Sequence, residues 1–201
     1  MIIVILASLA AGIVCGRFWF DPAIVEIADS TLLGWALNFL VLAVGIEMGS
    51  DKSLIGKLRS HGFKILLLPL GVAVGSVLGG ILIGWVIGMP MGESAAVSAG
   101  FGWYSISAVL LKDMAGARIA TLAFLTNVVR ELMALMVIPI VAKVFGKLPA
   151  IAPGGATSMD TTLPIIVKST DEATGAVAVI TGVCCSMMVP VVVPLLYQLF
   201  S

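Results

Sequence analysis

The sequence predicts an all-α fold: a polytopic transmembrane helical bundle with about five full spans and two broken or re-entrant helices. Three observations carry that expectation. Hydrophobic residues make up 60% of the 201 positions and charged ones 11%, and the mean hydropathy is +1.18, more apolar sequence than a soluble core can absorb. The apolar residues fall into about seven runs, and a helix needs roughly 17–25 such residues to cross a bilayer. Finally, two runs are interrupted by glycine and proline, and ionisable residues lie inside apolar stretches, where a membrane excludes them unless they have a partner or a task.

In chain order, residues 2–16 form the first candidate helix. The run ends in small residues, as a signal peptide does, but lacks the positive n-region such a peptide needs. A lipoprotein reading at Cys15 is disfavoured by Ile13 and Val14. Further spans are expected at 31–49, 65–88, 117–144 and 173–199, so that residues 1–201 read as one transmembrane domain with no soluble domain. The loop between the second and third helices holds Lys52, Lys57, Arg59 and Lys64, the densest basic cluster, and is expected to face the cytoplasm. The preceding loop, with Arg17, Asp21, Glu26 and Asp29, suits the outside, which places the N-terminus inside. If both interrupted segments cross, or neither does, the C-terminus is outside; if only one crosses, it is inside. Glu47, Asp51 and Glu93 are read as interfacial, Lys112, Asp113 and Arg118 as a loop, and Trp19, Trp35 and Trp85 as interface anchors.

The interrupted segments are 91–111 and 151–167. The first is broken by Gly100 and Gly102, followed by Trp103, Tyr104 and Ser105. The second is broken by Pro153, Gly154, Gly155 and Pro164, and carries Thr157, Ser158, Asp160, Thr161 and Thr162. Unwound backbone is tolerated at membrane depth only where protein buries it or it lines a watery cavity, so both segments point to a substrate site. Glycine used merely for close helix packing is the competing reading, and the hydroxyls and prolines of the second segment weigh against it.

Asn127 and Glu131 are four residues apart and share a helix face, while Arg130 points about 100° away from Glu131. A carboxylate here suits a group that alternates between a proton and a substrate ammonium. The static alternative binds Glu131 to a neighbouring helix, and Arg130 to backbone carbonyls or Asp160. Around Asp160, free backbone groups and hydroxyls could hold a zwitterion, the half-helix N-terminus taking its carboxylate and Asp160 its amine. A coupling-cation site for Na+ is the competing use of the same groups.

The composition also excludes classes. A net charge of zero and one histidine, His61, give no nucleic-acid footprint. Cys15, Cys184 and Cys185 lack metal-ligand spacing and behave as small hydrophobes. An intramembrane hydrolase would need a second aspartate beside Asp160, or a serine with a base, and His61 falls in the basic loop. Neither an enzyme, a metal site nor a cofactor is expected, beyond a coupling H+ or Na+.

Three motifs bring a family into view: Ser98-Ala99-Gly100-Phe101-Gly102-Trp103-Tyr104-Ser105-Ile106-Ser107, Asn127-Val128-Val129-Arg130-Glu131-Leu132 followed by Ile138-Pro139, and Gly155-Ala156-Thr157-Ser158-Met159-Asp160-Thr161-Thr162-Leu163-Pro164. In this order they resemble the LysO-type lysine exporters over essentially the whole chain. The resemblance implies an inner-membrane protein that exports L-lysine and its toxic analogues; proton antiport at Glu131 is the mechanism that the residues themselves suggest. Export of another organic ion, or a small-ion channel, is the alternative. The family's intramembrane acidic residue in the Arg-Glu-Leu motif falls on Glu131, and its motif aspartate on Asp160. Full-length members carry about three more N-terminal helices, so the chain matches their C-terminal two-thirds. That difference implies a complex, either with a small family-related membrane protein supplying the missing helices or as a homodimer.

Overall fold

A computed structural model of the protein describes residues 63–201, together with isolated positions between 7 and 46. Two compact units are present, Met1–Glu47 and Met48–Ser201. In the first, the described positions are helical, and Val14, Trp35, Phe39, Leu42 and Ile46 among them are exposed. The expected helices at 2–16 and 31–49 otherwise lie outside the described residues. So do the loop bearing Lys52, Lys57 and Arg59 and the acidic loop before it.

Every regular element among the described residues of the second unit is helical. A 3-10 turn at Phe63–Leu66 leads into α1 (Leu67–Ile87), followed by α2 (Met91–Ser98), α3 (Tyr104–Phe145), α4 (Leu163–Ser169) and α5 (Glu172–Phe200). Between α3 and α4 lie two 3-10 turns, Pro149–Ile151 and Gly155–Met159. Helices α1 and α5 are each long and apolar enough to cross a membrane. Residues 117–145 of α3, where a further span is expected, form a comparable length of helix with Arg130 and Glu131 near its middle.

The local chemistry explains where these helices start and stop. Helix α1 accommodates Pro69 because the first turn does not need its N–H. It ends at Gly88, which adopts φ 74° while its N–H and that of Met89 close the last carbonyls, a left-handed cap that glycine reaches without Cβ strain. Pro90 then opens α2. Helix α5 is capped by Asp171, whose carboxylate accepts from the Thr174 N–H at 2.7 Å and also pairs with Lys147.

Packing follows two rules. Gly80 and Gly84 of α1 face Ser98 and Ser94 of α2 so closely that a Cβ on either glycine would collide with the serine, the small-residue contact that lets membrane helices approach. Away from that seam α1 is apolar, with Leu70, Val74, Leu78, Leu82 and Ile83 exposed, as suits a helix whose outer surface meets lipid rather than water. The other core lies where α3, the 149–151 turn, α4 and α5 meet, around Ile138, Ile151, Ile166, Ala178 and Ile180.

One expectation is corrected. Lys112, Asp113 and Arg118 do not form a loop: they belong to α3, which is interrupted only at Gly116, with φ 81° and ψ 173°. Apart from that glycine the stretch holds strong helix formers such as Ala, Leu, Met and Lys, and Asp113 and Arg118 extend to solvent from the helical limbs on either side of it.

Candidate functional site

The break between α2 and α3 exists because residues 101 and 102 leave the helical region. Phe101 has φ 49° and Gly102 φ 100°. For a phenylalanine that conformation is strained, and it persists only where the surroundings over-determine it. Phe101 is fully buried. Its neighbour Gly102 donates its N–H to Asn127 Oδ1 at 2.7 Å, while Asn127 Nδ2 donates to Ala123 O at 2.9 Å, Val97 O at 3.3 Å and Ser107 Oγ at 3.4 Å. Asn127 is 2% exposed, so its amide is consumed in holding the break. Gly100 lies flat against that amide, with no room for a side chain.

The second break is joined to the first. Ala156 donates its N–H to Phe101 O at 2.8 Å, and Gly155, at φ 58°, approaches the same carbonyl so closely that a Cβ would strike it. Thr157, Ser158 and Thr162 are buried and spend their hydroxyl protons on carbonyls: Thr157 on Gly154, Ser158 on Gly155 and Ala178, Thr162 on Thr157. These bonds replace the helical ones that the unwound turn forgoes. Gly182 of α5 gives the turn space, since a Cβ there would lie 2.6 Å from Met159 N.

Beside this junction the acidic residues gather. Glu131 is only 4% exposed, and the Thr161 side chain and Asp160 lie close enough to act on it electrostatically. Asp160 itself is exposed and accepts from the Thr161 N–H at 2.5 Å. Tyr104 lies within electrostatic reach of both carboxylates and packs edge-on against Phe124, ring centroids 5.3 Å apart. Trp103 caps α3, and Trp103 and Ser105 are half-buried.

Arg130 turns the other way. Its Nη1 donates to Ser76 Oγ of α1 at 2.8 Å and its Nε to Pro153 O at 3.5 Å. Lys147–Asp171 is the ion pair found among the described residues, so Arg130 pairs with neither Glu131 nor Asp160 there. Sequence reasoning did not single out Ser76, Phe101, Phe124 or Gly182 as site-forming. Phe101 stood inside a glycine-flanked motif, whereas the other three carried no local signal.

Membrane-length helices around two joined backbone breaks, with carboxylates near the junction, are features of a helical membrane protein. The chain belongs to the LysO lysine exporter family: the family described as "Lysine exporter LysO" matches residues 6–197. It is 30% identical over 161 residues to "Lysine exporter LysO" of Escherichia coli (strain K12), covering 79% of this chain and 52% of that protein. A "Putative lysine exporter" of Haemophilus influenzae (strain ATCC 51907 / DSM 11121 / KW20 / Rd) is 30% identical over 195 residues, covering 92% of this chain and 93% of that protein. The chain thus spans about half the length of the first relative and nearly all of the second. No solved structure matches it. The family is one of exporters rather than enzymes.

Proposed function

We propose that this chain is the core of an exporter that carries L-lysine and its analogues out of the cytoplasm in exchange for protons. The observation that carries this reading is the electrostatic reach between the buried Glu131 and Asp160, from separate elements, and of both to Tyr104, beside the joined breaks. A buried carboxylate beside an exposed one attracts a cationic amino acid, and the buried Glu131 can exchange a proton for an ammonium group. In this scheme Glu131 gives up its proton as the ammonium arrives, and rocking of the helices around the breaks presents the site to each side in turn. Asn127, with its amide fully occupied, acts as a positioning residue rather than a ligand.

The protein is proposed to lie in the inner membrane, multi-pass, with its N-terminus in the cytoplasm and both broken segments re-entrant. Its assembly is proposed to include either a small family-related membrane protein or a second copy of this chain.

Uptake of labelled lysine into everted vesicles tests the proposal, with the chain expressed alone and with a candidate small partner, each beside Glu131→Gln at matched abundance. Export in the wild type and its loss in Glu131→Gln are expected. Normal transport by the variant removes Glu131 from the mechanism. Currents or uptake that do not depend on lysine shift the reading to a channel or another organic ion.

A further inference from the structure

The connection from α1 to α2 meets the second limb of α3 around a cavity of about 280 Å³, with Ile87, Met89, Pro90, Glu93, Arg118 and Leu122 among its walls. Glu93 is half-buried in the first turn of α2, and Arg118 stands exposed just beyond the break at Gly116. Both side chains line this one space, yet they form no ion pair with each other. A carboxylate and a guanidinium held apart across a cavity suit a ligand that brings an ammonium and an oxyanion of its own.

Two measures along the chain put the cavity at the level of the lipid headgroups. Helix α1 has 21 residues, about 31 Å at 1.5 Å per residue, which matches a hydrocarbon core of about 30 Å. The cavity begins at its last residue, Ile87. Independently, α3 rises about 18 Å from Arg118 to Arg130, near the middle of its second limb, slightly more than half of that core. Trp85, exposed beside this end of α1, is placed as an interfacial anchor would be. From the cavity wall inward, Leu122, Leu125 and Val129 are exposed on one face of α3. That apolar track has no use for a soluble ligand but fits an acyl chain.

We propose that this cavity holds the headgroup of a phosphatidylethanolamine-type lipid, with its ammonium on Glu93, its phosphate on Arg118 and a chain along Leu122, Leu125 and Val129. An ethanolamine headgroup offers N–H donors to the carboxylate. The choline ammonium is fully methylated and offers none, and a glycerol headgroup has no cation. Glu93 and Arg118 bracket in sequence the whole segment that carries the first break, Phe101 and Gly102 included. One bound lipid therefore ties both ends of that segment together across Gly116. The site stands apart from the transport reading, since it does not depend on which solute is carried.

The test uses the full chain, purified and delipidated in detergent, then exposed to equal amounts of dioleoyl-phosphatidylethanolamine, dioleoyl-phosphatidylcholine and dioleoyl-phosphatidylglycerol. Native mass spectrometry reads which lipid is retained. The wild type is expected to keep the ethanolamine lipid about tenfold or more over either competitor, as hydrogen bonds to a charged group give. In Glu93→Gln the preference over the choline lipid should fall to near unity while phospholipid is still retained. In Arg118→Gln retention of every phospholipid should fall. Equal retention of the three lipids by the wild type overturns the proposal, because two merely solvated charges would show no headgroup preference. An unchanged preference in Glu93→Gln overturns it too. Displacement of the ethanolamine lipid by excess free lysine assigns the cavity to a soluble amino acid and sinks the lipid reading. If Glu93→Gln does not accumulate, the wild-type preference and Arg118→Gln decide.

Discussion

Replacing Asn127 with alanine should destabilise the protein by about 2–4 kcal/mol, and each part of that figure traces to a contact. The largest is the Gly102 N–H, which loses its acceptor at 2.7 Å in a buried turn; leaving a buried donor unmet costs about 1–3 kcal/mol. The bond to Ala123 O at 2.9 Å adds about 0.6 kcal/mol, the average for side-chain hydrogen bonds inside membranes. The longer contacts to Val97 O and Ser107 Oγ add less, since both acceptors keep other options. The loss should be concentrated in the break, because Asn127 is what fixes Gly102. The assay is thermal unfolding in detergent, combined with hydrogen exchange resolved to residues 97–104. A lowered midpoint with faster exchange at Gly102 is expected. A loss under about 1 kcal/mol, the size of one ordinary hydrogen bond, with unchanged exchange there would refute the assignment of Asn127 as the clamp.

Two further predictions concern positions around the site. Gly182→Ala should destabilise by about 1–3 kcal/mol, as overpacking does, because the new Cβ meets the Met159 N and Ala156 O backbone atoms. Gly75→Ala, which meets nothing within 4 Å, is the matched control, and recovery of folded protein after heating separates them. At the start of α5, the Lys147 ammonium and the Thr174 N–H hold the Asp171 carboxyl well below the usual carboxylate range. A carboxyl that binds its proton less tightly when folded stabilises the protein above its unfolded pKa of about 3.9 and loses that contribution as pH falls toward the folded value. Asp171→Asn should therefore lower the melting temperature at neutral pH, with a gap that closes in acid. Because the pair is exposed, salt should narrow the gap too, and a gap that stays constant from neutral to acid pH would rule out the titration.

How far the sequence reached depended on whether the signal was local. The apolar runs behind α1 and α5 needed nothing beyond their own residues, and Gly88 and Asp171 mark ends by their own chemistry. That Asn127 and Glu131 share a face follows from four-residue spacing, and both are in fact buried. The partners of Asn127 stand 20 to 30 residues upstream, and no periodicity within a helix announces them. Lys112, Asp113 and Arg118 misled because charge was read as solvent-exposed loop, although exposed charge is equally at home on the helical limbs that flank the break at Gly116. Glycine content located both breaks but could not say that they touch, since a bond between two irregular segments leaves no pattern in either.

The bond from Ala156 to Phe101 also sets a clock on synthesis. The chain is made from its N-terminus, so Phe101 leaves the ribosome about fifty residues before the N–H that will satisfy its carbonyl, a delay of roughly 3–10 s at ordinary elongation rates. Asn127 arrives midway and can secure Gly102 in the meantime. During that interval the first break stands half-finished in the membrane, and slow or interrupted translation between residues 127 and 156 lengthens the exposure of an unfinished turn to quality-control proteases.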